Sequence, residues 1–542
     1  MKTKKIFKTF FFFLGLAIIA SCKDELKEIK TLNLDSALSP TGLTVSIVNV
    51  TQPRLTWKQI GKAESYTLEF FDNANLNFSG TPYKTIEGIK LNQLPYTAEG
   101  FEGNTTYSVR LKALGTNGTQ DSKFVTTTFK TGVEQIFLPL YSSQITETTA
   151  LFKWKVTTGI TRIVVTPVTS GTAVTVPVDA TAASAGQITA TGLVQNTNYE
   201  AKIYSGTVSR GRLTFTTMAT SIATQTVTTA DDLATIIANA PNNAVIALQP
   251  GTYDLASSGN NTDIIAKTIT LQSVSKNPNN TKINFKQFNL KGSGAGLKFS
   301  GIEFDGTTVA DYFINVVGLN ADGDAATFKS IIVENSKVHS TKNCLIRANR
   351  AGNNGHKFDD IKFENDILYD NGISSYSYFM MDKAEFKTLS ITNSTIYNSA
   401  RQLISWATNI TAAQTPLITI DHITLNGFGS GAKNNIFLDA NTNPVTFNMT
   451  NSIIANTPIT GQTVGTNAIK GGGTLNFNNN NYFNLNTGDG NLVTLSTSVA
   501  AANNKTISLG WTNTTTTFTL PATSELRTSG TANDPIGDPR WH

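Results

Sequence analysis

Val333-Glu334-Asn335-Ser336, Phe363-Glu364-Asn365-Asp366, Ile391-Thr392-Asn393-Ser394, Met449-Thr450-Asn451-Ser452 and Phe477-Asn478-Asn479-Asn480 repeat one pattern: an apolar residue, a polar one, an asparagine and another polar one. Ile420-Asp421-His422-Ile423 fills the one gap in the series. Steps from 335 to 365, 393, 422, 451 and 479 are 30, 28, 29, 29 and 28 residues, and Phe299-Ser300-Gly301-Ile302 reads as an earlier turn 34 residues upstream. Strand-like segments flank each polar stop. A fixed period of this length means a solenoid in which each period is one turn of a coil. The asparagine has a structural job at such a stop. Its amide can bond the turn backbone and the equivalent amide one rung away, satisfying buried polar groups in series. At ~4.8 Å per rung, the six stops cover about 24 Å of coil. In this series His422 reads as a neutral imidazole standing in for an amide. His339, His356 and His542 share no spacing, and no His/Cys/Asp/Glu set has zinc-ligand spacing.

Upstream, Thr229 to Pro241 predicts a short amphipathic helix. Thr229 is placed to cap it, Asp231 and Asp232 suit its dipole, Leu233, Ile236 and Ile237 form an apolar stripe, and Pro241 stops it. The strand Ala244-Val245-Ile246-Ala247-Leu248 and the turn Pro250-Gly251-Thr252-Tyr253 follow. Helix, strand and Pro-Gly-x-Tyr turn together resemble the first turn of pectin-lyase-like right-handed β-helices. That resemblance implies a helix plugging the open end of the coil, which would otherwise expose core side chains and unpaired strand edges.

After each stop a second strand follows: Leu345–Arg350, Phe379–Ala384, Leu403–Thr408, Ile436–Asn441 and Ala468–Lys470. Ile346, Met380, Ile404, Phe437 and Ala468 are expected to face inward. The less apolar ends would gather Arg347, Arg350, Asp382, Lys383, Trp406, Asp439 and Lys470 along one edge. Of these, Arg347, Arg350, Lys383, Trp406, Asp439 and Lys470 are the candidate glycan-binding set. An aromatic among basic residues suits a polyuronate, whose carboxylates take bidentate arginine and whose sugar faces lie on indole. The pectin-lyase-like fold also hosts polysaccharide lyases, which need a basic residue near the uronate C5 and a cation on the carboxylate. In such a lyase Lys383 with Arg347 or Arg350 would be the base, and Asp382 and Asp439 the ligands of a Ca²⁺. Those two acids make a poor calcium site, which wants six to eight oxygens, and no specific catalytic motif is present. No other cofactor is implied.

Between about 40 and 219 the pattern is different. Leu55-Thr56-Trp57, Tyr66–Phe70 and Tyr107–Ala113 alternate apolar and polar residues, and Phe152-Lys153-Trp154 and Tyr199–Ile203 repeat the theme. The two tryptophans lie 97 residues apart and the two tyrosines 92. The segments resemble tandem fibronectin type III modules over 40–132 and 133–219, with Trp57 and Trp154 in the cores and Tyr107 at a tyrosine corner. They are expected to act as spacers.

The amino terminus gives an address. Lys2, Lys4, Lys5 and Lys8 precede the apolar run Phe10–Ala20, half the length of a membrane span. Ile19-Ala20-Ser21-Cys22 resembles a bacterial lipobox, which implies a signal peptide over 1–21 and a lipidated Cys22 followed by a tether over 22–39. Lys23-Asp24-Glu25 resembles the surface-export signal of Bacteroidota lipoproteins. Without the four leader lysines the net charge is 39 basic against 38 acidic groups, which removes the case for a nucleic-acid partner. Cys22 and Cys344 alone cannot form a disulfide framework.

These readings describe an all-β chain: two tandem β-sandwiches, then over 221–542 a right-handed parallel β-helix with an N-terminal capping helix. It resembles the Bacteroidota surface lipoproteins that carry uncharacterised pectin-lyase-like domains and accompany polysaccharide-utilisation systems. The resemblance implies an outer-membrane, lipid-anchored protein facing the exterior, an acidic pectin- or alginate-like polysaccharide as partner, and proximity to glycan-uptake machinery. A polyuronate lyase acting by β-elimination and a structural rod or adhesin are the alternatives.

Overall fold

The computed structural model describes residues 35–542 apart from 104, 117, 133, 142–143, 220–221, 308, 349–354 and 373–375. Cys22, the leader, most of the tether and Arg350 therefore lie outside the described residues. In the first sandwich, Thr41–Val48, Gln52–Lys58 and Tyr96–Thr97 form one antiparallel sheet. Lys84–Ile89, Tyr66–Phe71, Thr106–Ala113 and Val125–Lys130 form the other. Trp57 and Tyr107 are buried between them. The second sandwich has a four-stranded sheet built around Arg162–Pro167 and Asn198–Ser205, facing Ala150–Lys153 paired with Gln187–Ala190. It buries Trp154 and adds a six-residue helix, Ala180–Ala185, capped by Asp179. Both tyrosine corners are formed by the same bond. The Tyr107 hydroxyl accepts from the Glu102 amide at 3.0 Å and the Tyr199 hydroxyl from the Val194 amide at 2.8 Å.

Beyond 224 all strand pairing within the two large sheets is parallel, and the chain winds into a β-solenoid of about eight turns. Each turn lays one strand on each of three faces. One face runs through Thr268–Ser273, Gly296–Ser300 and Ile331–Glu334, and the next through Thr281–Asn284, Glu303–Asp305 and Lys337–His339. The third runs through Phe288–Lys291, Tyr312–Val317 and Cys344–Arg347. Alternation sends Phe288, Phe299 and Phe304 inward, and Phe313, next to inward-facing Ile314, breaks the alternation to pack ring against ring with them. The plug helix is Leu233–Asn239, with Leu233 and Ile237 in the coil core. Its cap is Asp232, which accepts from the Thr235 amide at 3.1 Å, and not Thr229. At the other end Lys267 Nζ donates to the carbonyls of Ile237, Ala238 and Ala240 at 2.7–2.8 Å, satisfying the last orphan acceptors.

The repeated stop is a corner with the backbone in the left-handed region. Asn335, Asn365, Asn393, His422, Asn451 and Asn479 have φ between +51° and +57°, a conformation that Asn and His tolerate far better than β-branched residues. Gly301, the earlier turn, has φ +70°. The series is held mainly through the backbone. Each corner amide donates one turn along, from Asn335 to the Glu364 carbonyl at 3.0 Å through to Asn451 and the Asn478 carbonyl at 3.3 Å. A direct bond between corner side chains joins Asn365 Nδ2 to Asn335 Oδ1 at 2.7 Å, whereas Asn451 donates to Asp421 and Asn479 to the Ser529 carbonyl. The inward polar ladder sits one residue later. There Ser336 N donates to Asp366 Oδ1 at 2.8 Å, Asp366 N to Ser394 Oγ at 3.0 Å and Ser452 N to Asn480 Oδ1 at 2.9 Å.

His422 departs from the expected neutral imidazole. Nδ1 lies 2.7 Å from Asp421 Oδ2 and Nε2 lies 3.0 Å from Asp534 Oδ2. Burial alone would push its pKa down, but the two carboxylates outweigh burial and hold it at about 9. Asp534 belongs to a C-terminal strap that crosses this corner over several turns. Arg540 Nη2 donates to Asn365 Oδ1 at 2.9 Å, Arg540 Nη1 pairs with Asp538 at 2.6 Å, and Trp541 Nε1 donates to Thr395 Oγ1 at 2.7 Å. The second sandwich rests on the same region. Tyr141 meets the His422 ring edge-on at 5.6 Å, Lys153 Nζ donates to the Pro539 carbonyl at 3.4 Å, and Glu147 pairs with Lys276.

Candidate functional site

Register on the third face decides which side chains point away from the coil core. Phe288, Ile314, Ile346, Phe379, Ile404, Leu438 and Ile469 align one above another and form the inward column. Met380, Phe437 and Ala468 were expected in that column. Phe437 and Ala468 are indeed buried in the coil core, although the aligned places on their turns belong to Leu438 and Ile469. Only Met380 turns outward, its place taken by Phe379, because Phe379-Met380-Met381 is an unbroken apolar run with no alternation to fix the face. The outward column follows from the same pairs: Asp263, Asn289, Asn315, Arg347, Met380, Ser405, Asp439 and Lys470.

The column is polar over most of its length, with charges at both ends and at Arg347 near its centre. Asn315 Nδ2 donates to Asn289 Oδ1 at 3.1 Å, and Asn289 Nδ2 donates to Asp263 Oδ1 at 2.6 Å. Gln287 Nε2 adds a bond to Asn289 Oδ1 at 2.6 Å, and Asp263 pairs with Lys291 at 3.3 Å. One rung beyond Asn315, the Arg347 guanidinium lies 5.2 Å from the Tyr312 ring and 5.9 Å from the Tyr376 ring. The two tyrosines meet edge to face at 5.9 Å. Arg347 Nε is buried without a hydrogen-bond partner among the described residues. Burial pushes the Tyr312 hydroxyl up to about 12, against the opposing pull of Arg347, so it stays a neutral donor. Flat cation and rings together form a shelf suited to a carboxylate-bearing sugar.

The other expected edge residues divide. Asp439 lies in the column, 3.8 Å from Lys433, and accepts from the Asn441 amide at 3.2 Å. Lys470 is exposed at the next rung and donates to Asn441 Oδ1 at 3.1 Å. Lys383 sits half-buried at φ +69° in the turn after Phe379–Met380, outside the column. Trp406 is not a platform. It is 1% exposed, its Nε1 donates to the Ala384 carbonyl at 2.8 Å, and its ring meets Phe386 edge-on at 5.4 Å. With Ser405 outward, alternation sends Trp406 inward. Asp382 is likewise internal: it accepts from Ser405 Oγ at 2.7 Å, from the Thr408 amide at 3.2 Å and from the Ala407 amide. Its oxygens bind the turn, and Asp439 faces a lysine, so this pair does not fit the hard oxygen cage of a calcium ion.

Asp263, Asn289, Asn315, Tyr312 and Tyr376 escaped the sequence reading. Asp263, Asn289 and Asn315 follow a 26-residue period, shorter than that of the later turns, which hid them from the 28–30-residue comb. The available signal was a lone polar residue inside an apolar strand, as in Phe288-Asn289-Leu290 and Ile314-Asn315-Val316.

A family model described as a domain of unknown function (DUF4957) matches residues 251–399, within the coil. No curated protein matches the chain. Among solved structures, a two-domain fibronectin type III segment of chicken tenascin is 23% identical, covering 33% of this chain and 97% of that one, with a TM-score of 0.18. The PL6 family alginate lyase AlyGC is 16% identical over 52% of this chain and 38% of its own, with a TM-score of 0.34. A fibronectin III array of RIM-binding protein is 19% identical over 34% of this chain and 64% of its own, with a TM-score of 0.14. The chain thus spans little more than a third of the lyase it matches.

Proposed function

We propose that the outward column of the third face binds an acidic, pectin- or alginate-like polysaccharide at the cell exterior. In this reading the protein is held in the outer membrane by a lipid on Cys22, the sandwiches are spacers, and glycan-uptake machinery is a neighbour. The observation that carries the binding is the register that stacks Asn289, Asn315 and Arg347 on consecutive turns beside Tyr312. A linear polymer laid along the coil meets the Arg347 guanidinium, which takes a carboxylate, beside the Tyr312 and Tyr376 rings, while the buried Asn289 and Asn315 amides brace the strands beneath it. Lys291, Lys433 and Lys470 add positive charge along the same edge. Binding is favoured over β-elimination because burial keeps the tyrosine nearest the arginine a neutral phenol rather than a proton-accepting phenolate, and the candidate calcium ligands are otherwise engaged.

Affinity electrophoresis in gels containing pectate or alginate tests the proposal. Wild-type protein should be retarded, and Arg347→Ala should weaken retention by about tenfold, the loss expected for a charge-assisted bond. Absence of retardation in every acidic gel would leave the rod reading. Absorbance from an unsaturated product, followed with and without Ca²⁺, separates binding from lyase activity. Cys22→Ala should release the protein from the membrane fraction.

A further inference from the structure

The second face carries a column of its own. Asp254, Asn284, Asp305, His339, Tyr369 and Tyr397 align outward on consecutive turns. Over its first three rungs lies a cavity of about 650 Å³, lined by Asp254, Ser257, Lys282, Asn284, Asp305 and Thr307 among others. That volume is in the range of small-molecule sites, and its polar side chains converge from different turns. Farther along, His339 stacks on Tyr369 at 4.6 Å and Tyr369 on Tyr397 at 5.1 Å, until Phe518 of the C-terminal segment closes the row. These ring faces cover one another, so the row offers edges and hydroxyls rather than a stacking platform.

We infer that this cavity binds a neutral oligosaccharide, making a second carbohydrate site on a different face from the acidic-glycan column. Charge excludes a polyuronate: Asp254, Glu303 and Asp305 outnumber Lys282 and Lys337, and the acids lie in or beside the cavity. Lys282 and two Thr307 bonds, against the opposing effect of burial, hold Asp305 ionised with a pKa of about 2, so it accepts rather than donates. Geometry excludes a metal ion. Lys282 Nζ stands 2.5 Å from Asp305 Oδ2, and Asp254 Oδ1 already accepts from the Ala256 and Ser257 amides at 2.9 and 3.0 Å. Ionised carboxylates that accept from vicinal hydroxyls, an ammonium that donates back, and the Asn284 carboxamide between them match a ligand with many hydroxyls and no charge.

Affinity gels containing mixed-linkage β-glucan, galactan, galactomannan or xyloglucan test the inference on the full chain. At least one should retard the wild type, with Asn284→Ala reducing retention about fivefold and Arg347→Ala leaving it unchanged. In pectate or alginate gels the two variants should exchange behaviour. Asn284→Asp keeps the side-chain shape and an acceptor but removes the amide donor, so it should also weaken neutral-glycan retention, which guards against a folding defect in the alanine variant. Retention by acidic polymers alone, or neutral binding equal in wild type and both Asn284 variants, overturns the inference and leaves the acidic-glycan proposal standing. The reverse pattern overturns that proposal and leaves this one.

Discussion

Replacing His422 by asparagine isolates the one charged member of the corner series. Asn occupies the same left-handed position on neighbouring turns, so His422→Asn carries little backbone cost. What it removes is an imidazolium between Asp421 and Asp534. The folded pKa of about 9 stands above the ordinary 6.5, and each unit is worth ~1.4 kcal/mol, so the pair of contacts stabilises the strap by roughly 3 kcal/mol. The depressed pKa values of Asp421 and Asp534 report the same contacts from the other side and are not added. Because the folded value is raised, the stabilisation is fully present below about pH 6.5 and is lost as pH rises through about 9. Urea unfolding of the coil in wild type and His422→Asn, at intervals from pH 6 to 10, measures the difference. The gap between them should shrink by roughly 3 kcal/mol across that range. An NMR titration of the His422 ring gives the pKa directly. Parallel stability curves, or a ring titrating near 6.5, would show that the carboxylates do not hold the proton.

Three further substitutions follow from the geometry. Arg540→Met should destabilise the coil by about 3 kcal/mol or more, since it leaves the fully buried Asp538 without its cation; calorimetry of the full chain reads the loss. Trp406→Ala should cost about 3–5 kcal/mol in coil stability by opening a core cavity, while retention per folded molecule in alginate gels stays at the wild-type level. Tyr199→Phe should cost the second sandwich about 1 kcal/mol, visible in its own unfolding transition with the coil transition unmoved.

Much of the architecture was legible because it is written as a period. Six corners at 28–30-residue steps announce a coil, since each turn must return the chain to the same corner, and Asn or His there answers to a left-handed backbone. Two tryptophans and two tyrosines at module-length spacing announced the sandwiches for a similar reason: core and corner positions recur once per module. A charged imidazole at 422 was hidden, because Asp534 lies 112 residues away and arrives only when the strap folds back.

Sequence by itself determined the repeating corners, the alternating strands and the separation into sandwiches and coil, all of which depend on neighbours along the chain. Tertiary structure alone decided which side of an apolar run faces water. In Phe379-Met380-Met381 or Ile404-Ser405-Trp406 a shift of one residue exchanges core for surface, and only the hydrogen-bond register with the adjacent turn sets it. For that reason Trp406 went into the core while Arg347, Asn315 and Asn289 were stacked on the outer side of the sheet from turns 26 and 32 residues apart, with the two amides still buried.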